Sequence, residues 1–274
     1  MRSMIHPTAL ISPEATIADD VTIGPGAIIE AGAVIGRGCR ILARAVITGE
    51  VTLGENNEVG IGAVLGATPQ VIGFDQEIKS SLHIGNGNTF REYVTIHRGM
   101  SEGSSTVVGD HNFLMVGVHL GHNVSVANHV IIANNCLLAG HVEIDERAVL
   151  GGGAVFHQFI RIGKYAMVRG GSRMSKNIPP YVTAYESDLV SGLNVVGLRR
   201  AGMSSATRLE LKKAFQLLYR SGLNITQALE AAALTTWSPE ALHFFEFIGN
   251  SKKRGVCRSE KSSSSIIAPT SAED

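Results

Sequence analysis

A six-residue repeat runs through most of this chain and leaves few folds open to it. Every sixth residue from Ile5 to Leu65 is aliphatic, and the residue four positions later is usually small, as at Ala27. The same register resumes at Val108 and continues without a slip to Met174. Six residues match neither the period of an α-helix nor the alternation of a half-buried strand. They match one short strand followed by a turn.

Three such units would make a coil of about 18 residues that stacks on identical coils above and below it. The aliphatic residue of each unit would point into a narrow triangular core, and the small residue would fill the corner. The low aromatic content of 5% suits a thin, repetitive core better than a conventional globular one. The sequence therefore predicts a mainly β fold, a parallel β-helix.

Two interruptions and one loss of the repeat divide the chain. The register fails at residues 66–83 and again at 99–107, and both segments are predicted to be loops that protrude from the β-helix. Beyond Pro179 and Pro180 the repeat disappears, and helix-start residues appear at Ser204 or Ser205, near Thr226, and at Ser238. We predict a β-helix domain at 4–190, a small helical domain at 191–255 and a disordered tail at 256–274.

Charge and composition exclude several classes of function. The 24 basic and 24 acidic residues balance, so no overall field favours nucleic acid. No apolar run reaches the roughly 18 residues of a membrane-spanning segment. The cysteines, Cys39, Cys136 and Cys257, are odd in number and form no CxxC pair. They predict reduced thiols and a cytoplasmic protein.

Histidines concentrate in the second run of repeats and are the candidate chemistry. His119, His122, His141 and His157 fall in consecutive coils, and the 19 residues between His122 and His141 are close to one coil. We therefore expect these two to be neighbours on adjacent coils. Residues next to the aliphatic positions face outwards, so the imidazoles would form a polar stripe.

Three interpretations of this stripe are open. The imidazoles could be solvated turn residues, metal ligands or a general base, since imidazole exchanges protons near neutral pH. A β-helical zinc site would need three histidines, two of them in an HxxxxH pair. Val124 stands five residues beyond His119. The third ligand is missing, and no metal is predicted.

An ordered set of local strings resembles the acyl-[acyl-carrier-protein]–UDP-N-acetylglucosamine O-acyltransferase family, which begins lipid A synthesis. The likeness covers residues 4 to about 255. Its strings are VTIHRG at 94–99, HLGHN at 119–123, LAGHV at 138–142, FHQF at 156–159, PPYV at 179–182, GLN at 192–194, GLRR at 197–200 and YRSG at 219–222. The resemblance implies a left-handed β-helix with a helical C-terminal domain, assembled as a homotrimer with sites between subunits.

The same resemblance implies roles for individual residues. His122 would be the general base that activates the sugar 3-hydroxyl or 3-amine, with Asn123 as its partner. The backbone N–H of Gly140 would stabilise the oxyanion. Gly170 matches a position that gauges acyl length. The implied substrate-binding residues are Gln70, His119, His141, His157, Gln158, Asn194 and Arg200. The acyl donor would be acyl carrier protein, and no other cofactor is implied.

The chain departs from the family pattern at several positions. The family usually has Asp where this chain has Asn123, so His122 lacks a negative neighbour. The segment PQVIGFD at 69–75 lacks the acidic and basic residues found there in the family, and Val196 and Ala201 replace a glutamate and an arginine. These changes fall where the nucleotide and sugar would bind.

The departures leave other functions open. The chain could acylate another UDP-amino sugar, at an oxygen or a nitrogen. It could be a CoA-dependent acetyltransferase. It could also be a non-catalytic trimeric β-helix that binds a sugar nucleotide. Basic residues of the helical domain form either a docking face for the acidic carrier protein or a solvated helix face. They are Arg199, Arg200, Arg208, Lys212, Lys213 and Arg220.

Overall fold

The computed structural model describes residues 4–251 and 253–259, and it shows a three-sided parallel β-helix. The first sheet pairs Met4–Ile5, Thr22–Ile23, Arg40–Ile41, Glu58–Val59, Thr89–Phe90, Phe113–Leu114, Ile131–Ile132, Val149–Leu150, Met167–Val168, Val182–Tyr185, Leu189–Leu193 and Arg258–Ser259. The second pairs Leu10–Ile11, Ile28–Ile29, Val46–Ile47, Val64–Ala67, Thr95–His97, His119–Leu120, Leu137–Leu138, Val155–Phe156 and Arg173–Met174. The third pairs Thr16–Ile17, Val34–Ile35, Val51–Leu53, Ser81–Ile84, Ser105–Val108, Ser125–Val126, Glu143–Ile144 and Arg161–Ile162.

The repeat positions build the core. Ile29, Leu65 and Leu138 are at most 1% exposed, and Cys136, at one of the small positions, is fully buried. Burial of each such aliphatic side chain stabilises the fold by about 2 kcal/mol. Ile5 differs because it is 48% exposed at the end of the β-helix. The three cysteines are buried and unpaired.

Tight two-residue turns join the strands at the corners. The second turn residue takes a left-handed backbone conformation, with φ of 59° at Asn123, 59° at His141 and 64° at Phe159. Asparagine tolerates this region better than most residues with a side chain. Each turn places its two side chains directly above those of the turn one coil away. A functional group at a corner therefore contacts residues of the adjacent coil.

A ladder of buried asparagines reinforces one part of the β-helix. Asn57, Asn88 and Asn112 are 1–2% exposed. Asn88 donates to Asn57 Oδ1 through both its backbone N–H and its Nδ2, and its Oδ1 accepts from the Asn112 N–H at 2.8 Å. The Asn112 Oδ1 continues the ladder by accepting from Val130 N–H. These side chains occupy small corner positions and satisfy buried backbone donors.

Strands extend further into both interruptions than the sequence analysis expected. Ala67 belongs to the strand Val64–Ala67, and Ser81–Ile84 begins inside the predicted loop at 66–83. The strand Ser105–Val108 likewise shortens the predicted loop at 99–107. The reason is pairing, because Ser81–Ile84 matches Ser105–Val108 residue by residue.

The C-terminal part combines a hairpin with four helices. Val182–Tyr185 and Leu189–Leu193 pair antiparallel, an element that the sequence analysis did not predict. Then come α1 (Val195–Arg200), α2 (Ser205–Tyr219), α3 (Ile225–Ala233) and α4 (Pro239–Gly249). The side chains of Ser204, Asn224 and Ser238 cap α2, α3 and α4, close to the expected starts. Within residues 4–251 and 253–259, no helix has the length and apolar character needed to cross a membrane.

The start of the predicted disordered tail is ordered. Val256 pairs with Asn177, and Arg258–Ser259 adds a strand to the hairpin. The prediction of disorder at 256–274 is therefore wrong for 256–259, because these residues complete the hydrogen bonding of the last coil. The remaining tail, 260–274, lies outside the described residues.

Replacing Asn88 with Ala tests the ladder. The change leaves the buried Asn112 N–H without its acceptor, and we expect a loss of about 2 kcal/mol in the free energy of unfolding. Chemical denaturation followed by circular dichroism measures it. Asn134→Ala, at an exposed asparagine, is the control and should cost less than about 0.5 kcal/mol. Equal losses in the free energy of unfolding of the two variants would show that the ladder stabilises the fold no more than an exposed asparagine does.

Candidate active site

Coil stacking gathers the predicted histidines on one edge of the β-helix. His119 lies on the second sheet, paired with Thr95 on one side and with Leu137 on the other. His122 follows in the next turn, and the backbone N–H of His141 donates to its carbonyl oxygen at 3.0 Å. The ring centroids of His122 and His141 are 5.2 Å apart. The predicted proximity of these two residues is confirmed.

The His122 imidazole lies directly against Gly140. A Cβ atom at position 140 would stand 2.5 Å from Cε1 and 2.6 Å from Nε2 of His122. No side chain fits there, so glycine is required for the ring to occupy this place. The Nε2 edge of the ring consequently faces the Gly140 backbone.

Asn123 fixes the proton on the imidazole. The backbone N–H of Met100 can only donate, and it donates to Asn123 Oδ1 at 3.0 Å, which orients the amide. The same Oδ1 lies 3.0 Å from His122 Nδ1. Since this oxygen can only accept, the neutral imidazole carries its proton on Nδ1 and has a bare lone pair on Nε2. Asparagine thus selects the tautomer that a general base needs.

The donor beside this lone pair is available. Gly140 is buried, and none of the hydrogen bonds found across residues 4–251 and 253–259 uses its N–H as donor. Its carbonyl is engaged, accepting from Phe159 N–H at 3.2 Å. A backbone N–H next to a base is the arrangement that stabilises a developing oxyanion.

Two further histidines, the buried His97 and the half-buried His119, lie on one side of the pocket that contains His122. His119 Nδ1 lies 2.8 Å from Thr95 Oγ1, and its ring meets that of His97 edge-on at 5.0 Å. Burial lowers the pKa of His119, and the neighbouring His97 lowers it further. Burial also lowers the pKa of His97, against the hydrogen bond to Thr68 O and with the help of His122. Both rings are therefore neutral at neutral pH.

His141 is held between two rings. It meets His122 edge-on and stacks on Phe159 with centroids 4.6 Å apart. Burial first, and His122 second, lower the pKa of His141. A neutral His141 adds no charge to oppose the protonation of His122 during a reaction.

These groups line a pocket of about 350 Å³ on the face of the second sheet. Gln70 reaches it from the first interruption, although its side chain is largely exposed, and its role in substrate binding stays a prediction. Apolar residues form the other side. The lining consists of Gln70, His97, His119, Gly121, His122, Leu137, Leu138, Ala139, Gly140, Val155 and Phe156.

Other predicted binding residues lie elsewhere on the chain. His157 lines an adjoining pocket that shares Val155 and Phe156 with the first. The Asn194 side chain caps α1 and donates to Tyr165 O at 3.0 Å. Arg200, Gln158 and Gly170 are exposed, outside the lining of the histidine pocket. Their roles in substrate binding and acyl length stay predictions.

Three contributors to the site are not apparent from the sequence alone. His97 was not assigned a role because the second interruption puts 24 residues, not 18, between the paired Thr95 and His119. A regular spacing of 18 residues per coil therefore does not predict the contact between His97 and His119. Phe159 was present in a recognised string, but its stacking on His141 depends on the left-handed turn. Met100 acts through its backbone, which leaves no side-chain pattern to find.

Among residues 4–251 and 253–259, no group of three or more His, Cys, Asp or Glu side chains is arranged to hold a metal ion.

The fold and this site define a hexapeptide-repeat transferase. The profile of the bacterial transferase hexapeptide matches residues 2–37 and 105–140, and that of UDP-N-acetylglucosamine O-acyltransferase, domain 2, matches residues 177–257. A curated acyl-[acyl-carrier-protein]–UDP-N-acetylglucosamine O-acyltransferase from Gloeothece citriformis is 41% identical over 75% of this chain and 75% of its own length. One from Burkholderia lata is 43% identical over 64% and 68%. The chain belongs to the family of acyl-[acyl-carrier-protein]–UDP-N-acetylglucosamine O-acyltransferases.

Solved structures agree over nearly the whole chain. The UDP-N-acetylglucosamine acyltransferase of Francisella novicida superposes with a TM-score of 0.91 at 32% identity, covering 99% of this chain and 100% of that one. The Bacteroides fragilis enzyme gives 0.87 at 40% identity, covering 93% and 100%. These matches confirm the expected left-handed β-helix with helices at its C-terminal end.

The depressed pKa values predict how stability depends on pH. Because the pKa of His119 in the folded protein lies below the ordinary value of 6.5, the folded protein binds fewer protons than the unfolded chain as the pH falls. The stability that comes from the neutral, buried state of His119 is therefore complete above about pH 6.5 and is lost as the pH falls from there through the lower folded pKa. We expect His119→Gln to lose less thermal stability than the parent between about pH 7.5 and pH 5.5, by a few degrees.

Thermal unfolding of both proteins at the two pH values measures the difference. His111→Gln, at an exposed histidine on another edge, is the control and should behave like the parent. Identical losses in all three proteins would contradict the buried, neutral state of His119.

Proposed function

We propose that this chain transfers an acyl chain, such as a 3-hydroxyacyl group, from acyl carrier protein to the 3-hydroxyl of UDP-N-acetylglucosamine, the first step of lipid A synthesis. The observation that carries the proposal is the His122 ring, bare at Nε2 and packed against Gly140. Family membership supports the identity of both substrates, which are those in the names of its relatives.

The first step forms the new bond. His122 Nε2 takes the proton of the sugar hydroxyl as its oxygen attacks the thioester carbonyl. The carbonyl oxygen becomes an oxyanion, which accepts a hydrogen bond from Gly140 N–H. Asn123 Oδ1 keeps its hydrogen bond to Nδ1–H and holds the ring in place while the ring is positively charged.

The second step breaks the thioester. The tetrahedral intermediate collapses, the carbon–sulfur bond breaks, and the proton on Nε2 passes to the departing thiolate of the carrier protein. The ester and a free thiol result, and His122 returns to its starting tautomer. No electron carrier is needed, because the reaction exchanges an alcohol for a thiol.

Asn123 affects the rate rather than the mechanism. A carboxylate in its place would stabilise the imidazolium by charge as well as by a hydrogen bond. The amide supplies only the hydrogen bond. An acceptor more nucleophilic than an alcohol, such as an amine, would need less help from the base, and for this reason a 3-amino sugar belongs among the substrates tested.

The same family membership supports a proposal for the assembly and location. We propose that the working enzyme is a cytoplasmic homotrimer with sites between subunits. Leu137, on the strand next to His119, is 48% exposed, and a second copy covering this face would bury it. Three buried, unpaired cysteines accord with a reducing compartment.

His122→Ala tests the proposal. Without the base, kcat/KM should fall by about a thousandfold, with the oligomer unchanged in light scattering. The assay combines hydroxyacyl carrier proteins of several lengths with UDP-N-acetylglucosamine, its 3-amino analogue and other UDP-amino sugars, and mass spectrometry identifies the products.

The matched control is His111→Ala, which removes an imidazole from an edge outside the pocket and should retain the parent rate. Transfer only to the 3-amino analogue would reassign the acceptor. No transfer by the parent protein to any UDP-amino sugar would contradict the proposed function and favour a binding protein.

A further inference from the structure

The segment that carries Gln70 into the pocket is attached to the β-helix near its two ends rather than at its tip. Residues 68–80 leave the strand Val64–Ala67 and return at Ser81–Ile84. Near the tip, Phe74 N–H bonds to Val71 O within the segment, and Ile72 is fully exposed. Internal bonds of this kind do not fix the position of the segment relative to the histidines.

Arg98 holds the returning half of the segment together with the second interruption, where Lys79 N–H donates to Glu102 Oε2 and Ser80 Oγ donates to Gly99 O. The Arg98 side chain is buried, with 8% exposure, although it carries a full charge. It donates to Ile78 O at 2.6 Å, to Ser80 Oγ at 3.1 Å and to Gln76 O at 3.4 Å. The guanidinium also lies 5.4 Å from the centre of the Phe74 ring.

His97 holds the outgoing half. Its Nδ1 is hydrogen-bonded to Thr68 O, and the Arg98 N–H donates to Ala67 O at 3.0 Å. His97 also contacts His119 through its ring. Two consecutive residues therefore fasten both ends of the segment to the coil that adjoins His119.

The environment of Arg98 is unusual for a buried cation. None of the ion pairs found in residues 4–251 and 253–259 includes it. Carbonyl dipoles and an aromatic face, rather than a carboxylate, offset the cost of removing its charge from water. A neutral side chain would avoid that cost. We attribute the arginine to its planar guanidinium, whose five N–H donors in a fixed geometry can bond to several acceptors at once.

We infer that Arg98 is a positioning residue for acceptor binding: it fixes residues 68–80 so that Gln70 stays over the histidine pocket. The inference rests on the proposed function in one respect, since it takes the UDP-sugar to be the ligand of that pocket. Arg98 touches no reacting atom. Its loss should weaken the binding of the UDP-sugar while the chemistry of His122 and Gly140 continues.

The test compares Arg98→Met, Arg98→Lys and the control Arg91→Met in the full-length protein. Arg91 is a partly exposed arginine seven residues earlier whose guanidinium pairs with Glu92. Hydrogen exchange read by mass spectrometry reports the order of residues 68–80. Calorimetry gives Kd for UDP-N-acetylglucosamine, and steady-state kinetics give KM for each substrate and kcat.

For Arg98→Met we expect faster exchange in 68–80, and Kd and KM for the UDP-sugar raised about tenfold. KM for acyl carrier protein and kcat should stay within about twofold. Arg98→Lys should fall between this variant and the parent, because lysine keeps the charge but not the fork. Arg91→Met should match the parent.

Two outcomes would overturn the inference. One is unchanged affinity for the UDP-sugar in Arg98→Met, whether or not exchange becomes faster. The other is a fall in kcat with no change in Kd. Failure of the proposed function is distinguishable, since the parent protein would then transfer no acyl group to any UDP-amino sugar, while exchange and calorimetry still report on Arg98.

Discussion

Stacking of coils at a fixed spacing is the constraint on which the site depends. In the histidine region each turn lies directly over the next, so the side chain of one turn meets the backbone of its neighbour. His122 occupies its place only because position 140, one coil away, has no Cβ. Backbone hydrogen bonds between the parallel strands of successive coils set this spacing, and the aliphatic core holds the three sheets together. The chemistry of the edge is thus a consequence of how the coils stack.

Hydrogen bonds then give the stacked groups their chemical states. A backbone N–H from the second interruption, that of Met100, orients Asn123, and Asn123 orients the proton of His122. Burial keeps His119 and His97 neutral, so the pocket does not repel a protonated His122. An amide in place of a carboxylate preserves the tautomer but contributes no charge. These hydrogen bonds therefore fix the position of the His122 proton, and they do so without a charged side chain.

The sequence predicted the periodic features well, because period and structure coincide in a β-helix. The core positions, the neighbouring His122 and His141 and the capped helices α2, α3 and α4 all follow from spacing and local residue types. What escaped prediction depends on contacts outside the repeat. The interruptions changed the residue count between coils and hid His97. The hairpin after residue 181 and the order of 256–259 arise from pairing with the last coil, to which no local pattern points.

The central claim is that the neutral imidazole of His122 carries its proton on Nδ1, with Nε2 bare beside Gly140. The ¹⁵N chemical shifts of the two ring nitrogens, measured on protein labelled at histidine and assigned with His122→Gln, test this directly. At about pH 8 we expect a proton on Nδ1 and an unprotonated Nε2. A proton on Nε2 would contradict it, since that nitrogen could then take no proton from an acceptor.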